Sequence, residues 1–195
     1  MTVSDHAAEA TAEATAADRH RRHAGAFSDR VHGTRNWTTP APVAGWTARD
    51  VVGHLVEWFP GFLTAGSGMR LPPGPSVDDD PVAAWQHQFD AVQALLDDPT
   101  TATRLLVNPH IGELPLDTAI SQFYTSDVFL HTWDLARATG QDERLDPDRC
   151  AVMLAGMLPM DEILRASGHY GRRVDVPDDA DAQTRLLAFI GRNPL

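Results

Sequence analysis

With 195 residues, the chain is long enough for one substantial domain and short for two. Its formal charge of −11 argues against the basic face that a phosphate backbone or an anionic membrane surface would require, which excludes nucleic acid and membrane as expected partners. Hydrophobic residues make up 43% of the chain, enough for a packed core, and the single cysteine, Cys150, excludes an internal disulfide framework and fits a reducing cytoplasm.

The opening stretch MTVSDHAAEATAEATAADRH has almost nothing large to bury and lacks the apolar centre of a signal peptide, so residues 1–17 are expected to be a flexible segment. From about Asp18, Ala24, Phe27 and Val31 recur at helical spacing and Gly33 is placed to end a first helix. After a Pro-rich loop, Thr47 and Asp50 are spaced like a capping box with Asp in place of Glu or Gln. The second helix that follows keeps Val51, Leu55, Trp58 and Phe62 on one face, and Pro60 is expected to bend or break it near its end.

Asp80 and Pro81 start a third helix, with Trp85, Phe89, Val92 and Leu96 as its apolar face. An irregular segment with a short extended piece around Leu105–Val107 leads to the longest periodic stretch, over 114–140, which stops at Gly140. Pro147 opens a fifth helix that Pro159 splits or kinks, and a short terminal helix is expected over Ala182–Ile190. Strand signals are too few for a sheet. The fold class expected is all-α, a four-helix bundle over 18–165 with a C-terminal helical extension over 166–195.

The fourth helix poses the functional question. Ile120, Phe123, Tyr124, Leu135 and Ala138 define an apolar face, yet Asp127 and His131 fall on that same face, four residues apart. A buried carboxylate needs a partner. A hydrogen-bonded Asp–His pair would serve, and so would a metal. His54 lies among Val51, Leu55 and Trp58 on the apolar face of the second helix. Alone it reads as an ordinary core histidine; with Asp127 and His131 it completes a set of two imidazoles and one carboxylate, which suits a divalent transition metal and leaves coordination positions open. Asp134, three residues after His131, and Asp50, four before His54, are candidates to accept the second imidazole N–H of each ligand. Asp50 has the competing role of helix cap. Arg137 is a candidate to bind an anionic group of a cofactor or substrate. Glu57 and the remaining histidines carry no assignment, and Cys150 reads as a small buried hydrophobe.

These residues carry a resemblance. GWTARDVVGHLVEW resembles the second-helix signature, and DVFLHTWDLARATGQD the fourth-helix signature, of actinobacterial proteins in the DinB/YfiT-like metalloenzyme superfamily; the ending VDVPDDADAQTRLLAFIGRNP is similar too. The nearest group is related to the N-terminal domain of mycothiol-dependent maleylpyruvate isomerase, and the resemblance runs from roughly Arg19 to the end of the chain. It implies a four-helix bundle, able to pair as a homodimer, with a metal held at His54, Asp127 and His131. Zinc is the expected metal, with nickel and iron as alternatives, and mycothiol is the implied thiol cofactor. The resemblance thus implies a thiol-dependent transferase or isomerase acting on a small electrophile. A metal-dependent hydrolase and a non-catalytic ligand- or partner-binding bundle are the other readings. Two departures stand out. Asp127 occupies the position where the isomerase has Glu, one methylene longer, and the residues after the fifth helix are too few for the isomerase's second domain, so maleylpyruvate itself is not the expected substrate.

Overall fold

The computed structural model of the protein describes residues 15–168 and 170–195. The expected flexible segment, 1–17, lies outside these residues up to position 14, as does His169. The chain is mainly helical. α1 spans Ala16–Gly33, α2 Ala48–Ser67 and α3 Pro81–Asp97. A hairpin follows, β1 (Leu105–Asn108) and β2 (Gly112–Pro115), and then α4 (Leu116–Ala119), a π-helical turn (Ile120–Thr125) and α5 (Ser126–Thr139) in unbroken succession. α6 (Pro147–Met157), α7 (Asp161–Ala166) and α8 (Ala182–Phe189) complete it. Among the described residues no helix is long and apolar enough to cross a membrane.

Local chemistry sets the helix starts. Thr15 and Asp18 form a capping box at α1, and Thr47 and Asp50 form another at α2, each pair exchanging side-chain-to-backbone hydrogen bonds that satisfy two orphan N–H groups. The first box starts α1 at Ala16, ahead of the Asp18 read from apolar spacing. Asp80 and Asp146 cap α3 and α6, each with Pro at the first helical position, where a missing N–H costs nothing.

Two features depart from the sequence reading. Pro60 does not end α2, which continues to Ser67 and closes on Gly68 in the left-handed region (φ 71°). Phe59 and Leu63, on either side of the proline, are both fully buried, so packing outweighs the lost backbone bond. The irregular segment contains a two-stranded antiparallel sheet, with Leu106 opposite Leu114 and Asn108 opposite Gly112. Leu106 is fully buried against α2, where Gly66 makes room; a Cβ there would meet Leu106 Cγ at 2.7 Å. The second strand, Gly-Glu-Leu-Pro, has too little β-forming character to be seen in sequence.

Two cores form. α1, α2, α3, the π turn and part of α5 enclose the first, around Phe27, Leu55, Phe59, Trp85, Tyr124 and Val128. The opposite side of α5, through Phe129, Leu130 and Trp133, packs on Cys150 and Leu154 of α6 and Leu186 and Phe189 of α8. α5 therefore lies between two layers, and every residue from Val128 to Ala136 is buried. The one-sided apolar stripe read from sequence is a helix covered on both sides.

Two histidines of α1 are buried, His20 in the first core and His23 against the second. His20 is fully buried, its Nδ1 2.8 Å from Gln93 Oε1 and its ring stacked on Phe89; His23 meets Phe129 edge-on. Burial holds both imidazoles neutral and pushes the pKa of each down to about 4 from the ordinary 6.5. The unfolded chain takes up protons below pH 6.5 that the folded chain refuses until about pH 4, so stability is retained above 6.5 and falls as pH drops through that window. Between pH 7 and 5 the expected loss is about 2 kcal/mol per histidine. Urea unfolding at both pH values checks this: His20→Leu should remove roughly half of the pH-dependent loss.

Candidate metal centre

α2 and α5 carry the site. His54 falls one turn beyond the Thr47–Asp50 cap, and Asp127 and His131 lie one turn apart at the start of α5, just after the π turn. The π turn matters for aim. It winds an extra residue relative to α-helix, which rotates everything after it by about 100°. Ile120 and Tyr124, within the turn, and Val128, after it, all face the first core, and Asp127 is directed at α2.

His54, Asp127 and His131 each offer a ligand atom, and these atoms all lie within 4.8 Å of one another. His54 Nε2 is 2.9 Å from Asp127 Oδ2, and His131 Nε2 is 3.5 Å from Asp127 Oδ1. The two imidazoles meet edge to face at 4.9 Å between centroids. His131 is 7% exposed at its side chain, whereas Asp127 and His54 are 25% and 32% exposed, so the cluster is closed around His131 and open to solvent at Asp127 and His54.

The surroundings aim each group. A carboxylate only accepts, so His54 Nε2–H donates to Asp127. The indole N–H of Trp58 donates to the same Oδ2 at 3.0 Å, which leaves Oδ1 facing His131. His131 Nδ1 donates to Asp134 Oδ2 at 2.8 Å, so Nε2 is the nitrogen turned toward the cluster. Trp46, in the loop before α2, stacks on His131 at 5.7 Å and approaches His54 at 5.1 Å.

Electrostatics follow from this packing. Burial opposes ionisation of Asp127, but His131, His54 and Trp58 outweigh it and hold the carboxyl below its usual range. Burial also opposes charging His131, and the two flanking carboxylates, Asp127 and Asp134, outweigh that and raise its pKa. Asp134 has no exposed surface, and burial would keep it protonated; its hydrogen bonds from His131 and Arg192 hold it ionised instead. Two imidazole nitrogens and a carboxylate at these separations could hold a divalent transition metal.

Asp134 thus stands against the second nitrogen of His131, in the position the sequence suggested. Asp50 is placed differently: its carboxylate accepts the backbone N–H and the hydroxyl of Thr47, at 2.7 Å each, and serves the α2 cap rather than His54. Arg137 is engaged by Glu143 at 2.7 Å, by the Pro194 carbonyl and by the face of Trp133. Glu57 is exposed. Cys150 is fully buried and its thiol is pushed up to about 12 by burial, which removes it as a nucleophile. Sequence reasoning missed Trp58, Trp46 and Arg192. An indole inside an apolar stripe looks like core, and an arginine far down the chain gives no sign of where it folds back. Replacing Trp58 by Phe removes one hydrogen bond to a charged acceptor and part of the indole's packing on Phe59, Phe62 and Tyr124. The expected cost is at least about 1–2 kcal/mol in urea unfolding of the metal-free protein.

No family model matches the chain, and no solved structure matches it. Over 156 residues, 78% of this chain and 83% of the relative, it is 30% identical to uncharacterized protein MT0763 of Mycobacterium tuberculosis (strain CDC 1551 / Oshkosh). The same values hold for uncharacterized protein Rv0738 of Mycobacterium tuberculosis (strain ATCC 25618 / H37Rv). At that identity and coverage, the chain belongs to the same family as these two mycobacterial proteins.

Proposed function

We propose that this protein is a divalent-metal protein of the DinB/YfiT-like superfamily, a four-helix bundle of α1, α2, α3 and α5 that works as a thiol-dependent transferase or isomerase on a small electrophile. The observation that carries the reading is the convergence of His54, Asp127 and His131 within 4.8 Å at the α2–α5 seam, with the far nitrogen of His131 already committed to Asp134. Zinc is the metal proposed, since two imidazoles and a carboxylate suit it and it is abundant; nickel and iron suit the same donors. Mycothiol is the thiol proposed, on the resemblance of the α2 and α5 sequences. The buried, unreactive Cys150 fits a cytoplasmic protein that takes its thiol from solution.

A bound divalent cation supplies one thing here, a lowered pKa for a ligated thiol or water, so that a thiolate or hydroxide is available near neutral pH. The chain supplies the rest. Trp58 fixes one oxygen of Asp127, Asp134 fixes the tautomer of His131, and the rings of Trp46 and Trp58 pack against the two imidazoles. The open side, at His54 and Asp127, is where a thiol and an electrophile would enter. One observation favours a second reading, a non-catalytic bundle: Asp127 Oδ2 is already satisfied by His54 and Trp58 without a cation.

Metal content separates the two. Untagged protein purified without chelator should carry about one metal per chain by mass spectrometry, and His54→Ala, Asp127→Ala and His131→Ala should each lose most of it. Wild-type protein that takes up neither zinc nor nickel overturns the metal reading. Because the metal must compete with the proton for His131, whose pKa the flanking carboxylates raise, affinity should weaken steadily as pH falls from about 8 to 6. A metal-loaded protein that fails to conjugate mycothiol to any of a panel of electrophiles would keep the metal and remove the thiol chemistry.

A further inference from the structure

Beyond α8 the chain turns back toward α5, and Gly191 makes the turn. Its φ of 88° lies in the left-handed region, and a Cβ there would meet Gly171 Cα at 2.6 Å, so the two glycines pass backbone to backbone. This close approach sets the next residue over the second core. Arg192 then reaches Asp134, with Nε 2.8 Å from Oδ1 and Nη2 2.9 Å from Oδ2. The acceptor is fully buried and the Arg192 side chain is 15% exposed. This is the two-pronged contact that a planar guanidinium makes with a carboxylate, and it fixes the plane of the carboxylate as well as its place. Asp134 Oδ2 also accepts from His131 Nδ1.

We propose that Arg192 is a positioning residue for the His54–Asp127–His131 site, acting through Asp134 to set the ring plane and the tautomer of His131. A neutral imidazole carries its proton on one nitrogen only. With Asp134 fixed as an acceptor at Nδ1, the proton stays there and the Nε2 lone pair faces Asp127, as a metal ligand requires. Without the fork, Asp134 can rotate, and the Nδ1–H form loses its anchor. The C-terminal turn is then part of the site, although no atom of it is a ligand. The purpose of the device rests on the metal reading above; its geometry does not.

The test uses the whole chain with Arg192→Met, which keeps the bulk, and Arg192→Lys, which keeps the charge and loses the fork; circular dichroism reports whether each folds. Nitrogen NMR of labelled histidines in the metal-free protein, at alkaline pH where the ring is neutral, should show His131 protonated at Nδ1 in the wild type. In the Met variant the proton should move in part or wholly to Nε2. Zinc titration against a chromophoric chelator should show binding weakened about 10- to 100-fold in the Met variant and less in the Lys variant. A folded Met variant with the wild-type tautomer and zinc affinity within twofold of wild type overturns the proposal. Should the Met variant not fold, an unchanged tautomer and affinity in the Lys variant overturn it equally. Should the wild type bind no zinc, the metal reading fails, while the tautomer comparison still decides the role of Arg192.

Discussion

A carboxylate with no exposed surface has two options, to be neutral or to be compensated, and Asp134 is compensated twice. The guanidinium of Arg192 and the imidazole of His131 both donate to it. Leaving such a group unpaired costs about 3–5 kcal/mol, so the pairing is a constraint on everything around it. It demands that α8 be followed by a turn tight enough to bring an arginine back, and that α6 and α8 cover the far side of α5 to keep water out. It also demands that His131 present one particular nitrogen to Asp134, which settles the nitrogen it presents to Asp127 and His54. One buried charge thus ties the second core to the cluster at the edge of the first.

The site occupies the seam between those two cores, and α5 is the element they share. Apolar contacts hold α5 on both sides, through Val128 and Leu135 in one core and Phe129, Leu130 and Trp133 in the other. Embedding of this kind suits precision. The side chains of Asp127 and His131 emerge from a helix with little freedom to shift, and His54 comes from a helix anchored by its own cap one turn earlier. The freedom that remains is on the solvent side, where His54 and Asp127 are partly exposed.

The sequence was most legible where signals are local. Thr47–Asp50, Asp80–Pro81 and Pro147 mark helix starts within four residues, and the structure places caps at all three. His54, Asp127 and His131 stood out because polar groups on apolar faces break a pattern, and their convergence needed only that two helices pack by those faces. Long-range geometry was not legible. Trp58 and Asp127 are 69 residues apart, and Arg192 and Asp134 are 58 apart, and no periodicity connects them. The break expected at Pro60 does not occur: the local cost of a proline is visible in sequence, and the compensating burial of Phe59 and Leu63 is not. The capping box at Thr15 was hidden for the opposite reason, a local signal set in a stretch too poor in large apolar residues to suggest a helix.

The π turn at Ile120–Thr125 has a bearing on how this family is compared with others. Helices that differ by one wound-in residue run in step on one side of it and out of step on the other. A relative without the extra residue would bring a neighbouring pair of side chains to the α2–α5 seam, so a gap of a single position, trivial in an alignment score, would exchange the donor set. Alignments through this helix are therefore best anchored separately before and after the turn, and a relative is best judged to share the centre by what stands opposite its α2 histidine, not by the count of residues between motifs.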